Sequence, residues 1–328
     1  MRLIGGLVSL VLLLALCAGV GGLWLVRAMD RPGPLAEESL VEVAGGGGVG
    51  EIAALLEQAG VIKNAVLFEV GARLLAGGDT LKAGEYLIPA GVSARAVLDM
   101  LIGGRTFARK LTVPEGLTAR QVVALIEQAP GLAGEVEAVP PDGSLLPETY
   151  HYSRGDMRAE VLARMRQALD ETLAELWPRR ADGLPYDSPE QALVLASIVE
   201  KETALEAERR HVAGVFVNRL RRGMRLQSDP TVIYGLTGGA APLGRPLTGA
   251  DLDADNAFNT YVIGGLPPQP IANPGRASIA AVLDPADTED LYFVADGAGG
   301  HVFARTLEEH NRNVAKWRRL VERASESR

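Results

Sequence analysis

Cysteine is nearly absent: Cys17 is the only one in 328 residues. One thiol excludes an intrachain disulfide framework, a Cys-rich zinc site and a CxxC redox pair. Positive charge is in deficit, with 33 Lys+Arg against 41 Asp+Glu and a formal net charge of −8. A nucleic-acid surface needs the opposite balance, because phosphate contacts are made by Lys and Arg. Aromatics are scarce at 5%, and twelve of the sixteen lie beyond residue 145, as do all four histidines. Aromatic surface is where sugar rings stack, so chemistry is expected in the C-terminal half. His301 and His310 have no HExxH-like spacing, so neither a metal site nor any other cofactor is expected. Glycine (38) and proline (19) are abundant instead, which suits a turn-rich globular protein better than a helical bundle. The length allows roughly two domains.

Residues Leu3 to Val26 run for 24 positions without a charge. At about 1.5 Å per residue this is roughly 36 Å of helix, enough to cross a bilayer core of about 30 Å with some tilt. A cleaved signal peptide is the main rival, but its apolar region would be shorter. Here the apolar stretch continues past Ala18-Gly19 to Val26, and Trp24 sits where an interfacial aromatic is favoured. Leu16 before Cys17 disfavours a lipoprotein signal. The expectation is an uncleaved anchor over residues 1–28 that meets the lipid bilayer through residues 3–26. Arg2 on one flank and Arg27 with Arg31 on the other nearly balance, so charge bias alone does not set the orientation.

A linker over 29–39 carries Pro32-Gly33-Pro34, which cannot continue a helix. A weak internal repeat follows. Val43–Ala59 resembles Val113–Ala129, and Ile88–Arg95 resembles Val113–Arg120. Each copy reads as a short strand, a glycine turn and an amphipathic helix. Ser93 can cap the helix of its own copy, and Thr118 with Gln121 makes a capping box. Irregular spacing of the copies points to small α+β modules, not a solenoid. The Gly45–Gly50 run lacks the Gly-Lys-Ser/Thr ending of a phosphate loop, so it reads as a turn. A boundary is expected near Gly103–Arg105, and a further change near Gly143.

Ser188-Pro189-Glu190-Gln191 is a strong helix start, with Ser188 as N-cap and Pro189 in the first helical position. That helix carries about three nearly uncharged turns before Glu200. Small neighbours, Ala196 and Ser197, leave room beside the Glu200 carboxyl. Partial desolvation there would raise its pKa and suit it to a general acid. Glu200 could equally be the first charge of an ordinary helix end. Glu202, on the face of Leu195, Ile198 and Val199, is the second candidate. Asn218, Gln227, Ser228 and Tyr234 are neutral hydrogen-bonding groups of the kind that read sugar hydroxyls and acetamides. Asp229 before Pro230 suits a helix cap more than a nucleophile. Phe258–Tyr261, Gly265–Pro268 and Ile271–Gly275 are loops dense in Asn, Tyr and Pro, which offer Asn259, Tyr261 and Asn273 as binding groups or as turn residues. Leu291–Ala295 reads as a buried strand, His301–Phe303 as a second strand, and Glu308–Asn313 opens a closing helix.

Together these stretches resemble the endolytic murein transglycosylase family, the MltG or YceG-like proteins. The stretches that carry the likeness are Leu145–Tyr150, Ala196–Thr203, Arg225–Gly235, Asn259–Tyr261 with Gly265–Pro268, Ile271–Gly275, and Gly300-His301 through Glu309–Asn311. They stand in the family's order and span nearly the whole chain from about residue 40. Glu148 in place of a frequent Asp, and Phe258 in place of a second Tyr, are minor departures.

The resemblance implies an α+β protein with a transmembrane helix, a LysM-like module over 40–105 and a catalytic domain over 106–328. It implies a lyase that cleaves the β-1,4 bond between N-acetylmuramic acid and N-acetylglucosamine in peptidoglycan, leaves 1,6-anhydro ends, and terminates or trims nascent glycan strands. Glu200 is then the catalytic residue. Glu148, Tyr150, Ser197, Asn218, Gln227, Ser228, Asp229, Tyr234, Asn259, Tyr261 and Asn273 are the substrate-binding candidates. A lytic cleavage needs one acid/base carboxyl, whereas a hydrolase needs a second, for which Asp229 is the only weak candidate. The implied location is the cytoplasmic (inner) membrane, with residues 27–328 on the periplasmic or extracytoplasmic side. Peptidoglycan strands are the implied partner, with cell-wall synthases as candidate partners and no nucleic acid. A non-catalytic peptidoglycan-binding or scaffold protein built on the LysM-like module is the alternative, and a peptidoglycan hydrolase is another.

Overall fold

The computed structural model describes residues 2–326, with side chains described from residue 10 to residue 323. The chain divides into two compact units, residues 1–109 with 152–155, and residues 110–151 with 156–328. Helices dominate both, and the strands pair into three separate two-stranded sheets among the described residues.

The first unit opens with helix α1 (Arg2–Met29). Its stretch from Leu10 to Met29 is long and apolar enough to cross a membrane. Leu12, Leu16, Val20, Leu23 and Trp24 are all exposed, and this face meets no protein. The apolar side chains expected in the span at positions 3–9 lie outside the described ones. At its C-terminal end α1 behaves differently: Leu25 and Met29 are buried. Met29 presses on Gly71, where a Cβ would come 2.8 Å from the Met29 sulfur.

Strand β1 (Ser39–Val43), helices α2 (Val49–Gln58) and α3 (Ala65–Leu75), strand β2 (Gly84–Ile88) and helix α4 (Ala94–Gly103) complete this unit. β1 and β2 are antiparallel, with Ser39 opposite Ile88 and Val43 opposite Gly84. Alternate strand residues Val41, Val43, Tyr86 and Ile88 point into a core shared with Leu56, Phe68, Leu98 and Leu101. The same unit buries Glu85, and Arg109 answers it with a two-pronged pair at 2.8 and 2.9 Å. That guanidinium holds the Glu85 carboxyl below the usual carboxylate range.

The second unit begins in strand β3 (Arg109–Thr112), followed by helix α5 (Ala119–Gln128), strand β4 (Thr149–Tyr152) and helix α6 (Arg158–Leu176). β3 pairs with β4. Next come α7 (Pro189–Glu202), α8 (Glu206–Arg221), α9 (Asp229–Thr237), the single turn α10 (Gly249–Leu252) and α11 (Arg276–Leu283). The hairpin β5 (Tyr292–Ala295) and β6 (His301–Ala304) leads to α12 (Leu307–Glu326).

α7 is the axis of this unit. Its eight residues Ala192 to Val199 are all buried, as expected of a helix that is apolar all round. It packs on Val212, Ala213, Phe216 and Val217 of α8 and on Ile279, Val282 and Leu283 of α11. Gly214 of α8 is required by a close approach: a Cβ there would sit 2.7 Å from the Ala286 carbonyl oxygen.

The three copies of the repeat fold as expected, as strand, turn and helix: β1–α2, β2–α4 and β3–α5. Ser93 caps α4, Thr118 and Gln121 form the capping box of α5, and Ser188 caps α7. β5 differs from the sequence reading. It is half-buried, because it is one strand of a lone hairpin laid against α8, where Phe293 meets Phe216 edge-on at 5.7 Å.

Candidate active site

α7 ends on Glu200-Lys201-Glu202. With 3.6 residues per turn, positions 200 and 202 project about 200° apart, so the two carboxyls meet different surroundings.

The Glu200 side chain is only 5% exposed. The Gly275 N–H donates to its Oε2 at 2.9 Å, and the Arg209 Nη2 lies 3.6 Å from its Oε1. The same Nη2 donates to Glu115 Oε2 at 3.1 Å. Burial, followed by the Glu200 charge, raises the Glu115 carboxyl. A Cβ on Gly275 would collide with Glu115, at 1.8 Å from its Oε1. The backbone amide and the shared arginine both contact the Glu200 carboxyl, and Glu115 packs against Gly275.

Glu202 stands in different surroundings. Burial pushes its carboxyl up to about 7, the Asp229 charge pushes the same way, and the Ser228 hydrogen bond with the His301 and Arg219 charges opposes. Ser228 Oγ donates to Glu202 Oε1 at 2.5 Å. Asp229, exposed at the first turn of α9, accepts from Tyr261 Oη at 2.6 Å. Burial and that acceptor together raise the Tyr261 hydroxyl, which therefore stays protonated as a donor.

The turn that delivers Ser228 is held from several sides. Gln227 has φ +52°, the one positive φ outside glycine among the described residues, a conformation that costs about 1–2 kcal/mol for an L residue. Its amide donates to the Thr260 carbonyl at 3.1 Å, and the Ser228 amide donates to Thr260 Oγ1 at 2.9 Å. Thr231 Oγ1 donates to the Ser228 carbonyl at 2.6 Å. Arg219, buried on α8, ties the incoming strand of this turn to the hairpin. Its Nε donates to the Leu291 carbonyl at 2.6 Å, its Nη1 to the Leu226 carbonyl at 2.7 Å, and its guanidinium lies over the Tyr292 ring. Nearby, Glu208 accepts from both the backbone amide (2.9 Å) and Nδ1 (2.7 Å) of His301.

Of the expected binding residues, the fold gathers Ser228, Asp229, Tyr261 and the Gln227 backbone around Glu202. The others serve elsewhere. Asn273 is buried, with Oδ1 accepting from the Leu145 amide and Nδ2 donating to the Leu117 carbonyl. Asn259 is buried and donates to the carbonyls of Leu252 and Ala254 at the end of α10. Asn218 donates to the carbonyls of Thr288 and Asp290. Ser197 is buried between the Val194 carbonyl and the Ile271 amide. Tyr150 donates to the Leu146 carbonyl, and Tyr234 to Asp142. Glu148 is exposed, and its backbone carbonyl accepts from Val113. These amides and hydroxyls bind the chain itself because buried backbone carbonyls in loops need donors.

Sequence reasoning passed over Arg219 and Glu208, and it named Thr231, Thr260 and His301 without giving them these partners. Arg219 lies among Arg221 and Arg222 at a helix end and reads there as solvated charge. The clue available was its position three residues after the buried Phe216, on the inward stripe of α8.

A family description, the YceG-like family, matches residues 41–316. The endolytic murein transglycosylase of Bacillus subtilis (strain 168) is 30% identical over 308 residues, covering 84% of this chain and 84% of that protein. The endolytic murein transglycosylase of Streptococcus pneumoniae serotype 2 (strain D39) is 29% identical over 359 aligned positions, covering 94% of this chain and 64% of the longer relative. A crystal structure of a YceG-like protein from Listeria monocytogenes is 30% identical with a TM-score of 0.50, covering 84% of this chain and 99% of that one.

Proposed function

The chain belongs to the YceG-like family, and on that premise we propose that it is an endolytic peptidoglycan lytic transglycosylase with Glu202 as its acid/base. What supports the assignment is the setting of the Glu202 carboxyl, which accepts from Ser228 beside the Asp229–Tyr261 pair, and which burial, with the Asp229 charge, pushes up to about 7. It donates its proton to the glycosidic oxygen as the bond from C1 of N-acetylmuramic acid to that oxygen breaks. The carboxylate left behind takes the proton of the muramic C6 hydroxyl, whose oxygen closes on C1. The products are an N-acetylglucosamine hydroxyl end and a 1,6-anhydromuramic end, with Glu202 reprotonated and no water consumed. Asp229, fixed by Tyr261, is placed to stabilise the developing cationic C1.

Two neighbouring carboxyls, Glu202 and Asp229, are also the pair a hydrolase would use, so the product end decides. Digestion of uncrosslinked glycan strands by the full-length chain in detergent is expected to give 1,6-anhydro ends by mass spectrometry. Reducing ends 18 Da heavier, roughly one water, would establish the hydrolase reading. In the same assay Glu200→Gln is expected to keep activity within about tenfold, since it removes no proton in transit.

The exposed apolar face of α1 supports a single-pass anchor over residues 1–28, with 29–39 as linker. Peptidoglycan lies outside the cytoplasmic membrane, so residues 27–328 belong on that side. The order β1–α2–α3–β2, with its strands antiparallel, supports the reading of residues 40–105 as a LysM-like module, and 106–328 as the catalytic part. Cell-wall synthases, which make the strands, are the partners this placement suits.

A further inference from the structure

At the C-terminal end of α7 lies a cavity of about 370 Å³, bounded by the loop at Gly116–Thr118, by α5, by α9, by Lys201 and by the segment after Gly239. Two of its lining residues, Lys201 and Pro230, are the sequence neighbours of Glu202 and of Asp229. Its size is at the lower end of ligand pockets, suited to one sugar with a substituent. Ile233, Pro242 and Leu243 offer apolar wall, and Gln121 and Thr237 offer neutral hydrogen-bonding groups.

Lys201 is the one charged residue in the lining. Among the described residues its ammonium pairs with no carboxylate. Its hydrogen bond is to the Gly116 carbonyl at a long 3.3 Å, which leaves two of its three donors. An exposed lysine, in a chain of net charge −8 and in a cavity without an acid, creates a local field opposite to that of the whole protein.

We propose that this cavity is a subsite for a muramoyl residue carrying its peptide stem, and that Lys201 binds a carboxylate of that stem. The proposal rests on the peptidoglycan reading and deepens it: the enzyme recognises stem-bearing glycan and discriminates against glycan stripped of peptide. The bulk charge repels an anionic substrate, so selectivity for the stem needs a fixed local cation such as this one.

Binding without turnover tests it. The full-length chain in detergent, carrying Glu202→Gln, is titrated with soluble uncrosslinked glycan strands, either with stems or denuded by an amidase. Adding Lys201→Gln is expected to weaken binding of stem-bearing strands about five- to tenfold, the scale of one charge-assisted hydrogen bond in partial solvent. Binding of denuded strands should be unchanged, and Lys201→Arg should retain most of the affinity. Equal weakening for both ligands, no weakening for stem-bearing strands, or no measurable affinity of the Lys201 protein for them would each overturn the proposal. Because no bond is cleaved in this experiment, a failure of the lytic mechanism would register in the product assay and leave this comparison standing.

Discussion

Glu202→Gln is expected to lower turnover of glycan strands at least a hundredfold while making the protein more stable above neutral pH. The first effect follows from removing the proton that the proposed mechanism gives to the leaving oxygen. General acid–base groups typically contribute about 10²–10⁴-fold. The amide is isosteric and still accepts from Ser228, so the turn at Gln227-Ser228 keeps its anchor.

The second effect comes from linkage. Glu202 titrates near 4.5 as an unperturbed glutamate and at about 7 in the fold, chiefly because burial disfavours the charge. Between those pH values the folded chain holds a proton that the unfolded chain has released, so stability falls as pH rises. The contribution is fully present below about 4.5 and is lost as pH passes through 7. By pH 8 the gap amounts to roughly 3 kcal/mol. Denaturant unfolding of the Glu202→Gln protein should therefore show a gain of about 1–3 kcal/mol at pH 8 and almost none near pH 4. Activity of the unsubstituted protein should fall as pH rises through about 7, since the acid must begin protonated.

Arg219→Met carries the largest expected loss of stability, about 3–5 kcal/mol by denaturant unfolding of the detergent-solubilised chain. Methionine fills much of the volume but leaves the carbonyls of Leu291 and Leu226 without their donors, each an orphan in a buried place. Those carbonyls belong to the start of the hairpin and to the segment that enters the Gln227 turn. Their release frees Ser228 from its position on Glu202, so activity should fall together with stability. Arg219→Lys should recover little. One ammonium cannot span two carbonyls held by a planar fork, nor lie flat over Tyr292. A methionine variant as stable as the parent would show that the arginine is not what joins helix, hairpin and turn.

What was legible in the sequence is what depends on near neighbours. The caps at Ser93, Thr118 and Ser188 are local hydrogen bonds, and they occur where the residue pattern placed them. The strand–turn–helix copies were legible for the same reason. The acid was less so. Helical spacing put Glu200 and Glu202 on different faces, and small neighbours favoured Glu200. What decides between them is who stands opposite. Gly275 and Arg209 face Glu200, and Ser228 and Asp229 face Glu202, all brought in by tertiary packing.

Asparagines show the same limit from another side. Asn218, Asn259 and Asn273 carry the group that could read a sugar acetamide, but each is spent on backbone carbonyls of neighbouring loops. A primary amide has one chemistry for both tasks, and composition cannot separate them. The Ser228-Asp229 and Asn259-Thr260-Tyr261 segments, by contrast, were both singled out, and the fold joins them through the Tyr261–Asp229 bond and the Thr260 clamp.

The account turns on one carboxyl, and its proton can be followed directly. Carboxyl ¹³C titration of glutamate-labelled protein, with Glu202 assigned by difference against Glu202→Gln, reads that proton without substrate. A midpoint at about 7 for Glu202 is the expected result. A midpoint near 4.5, the ordinary glutamate value, would leave an ionised group at the end of α7 and contradict the assignment of Glu202 as the acid.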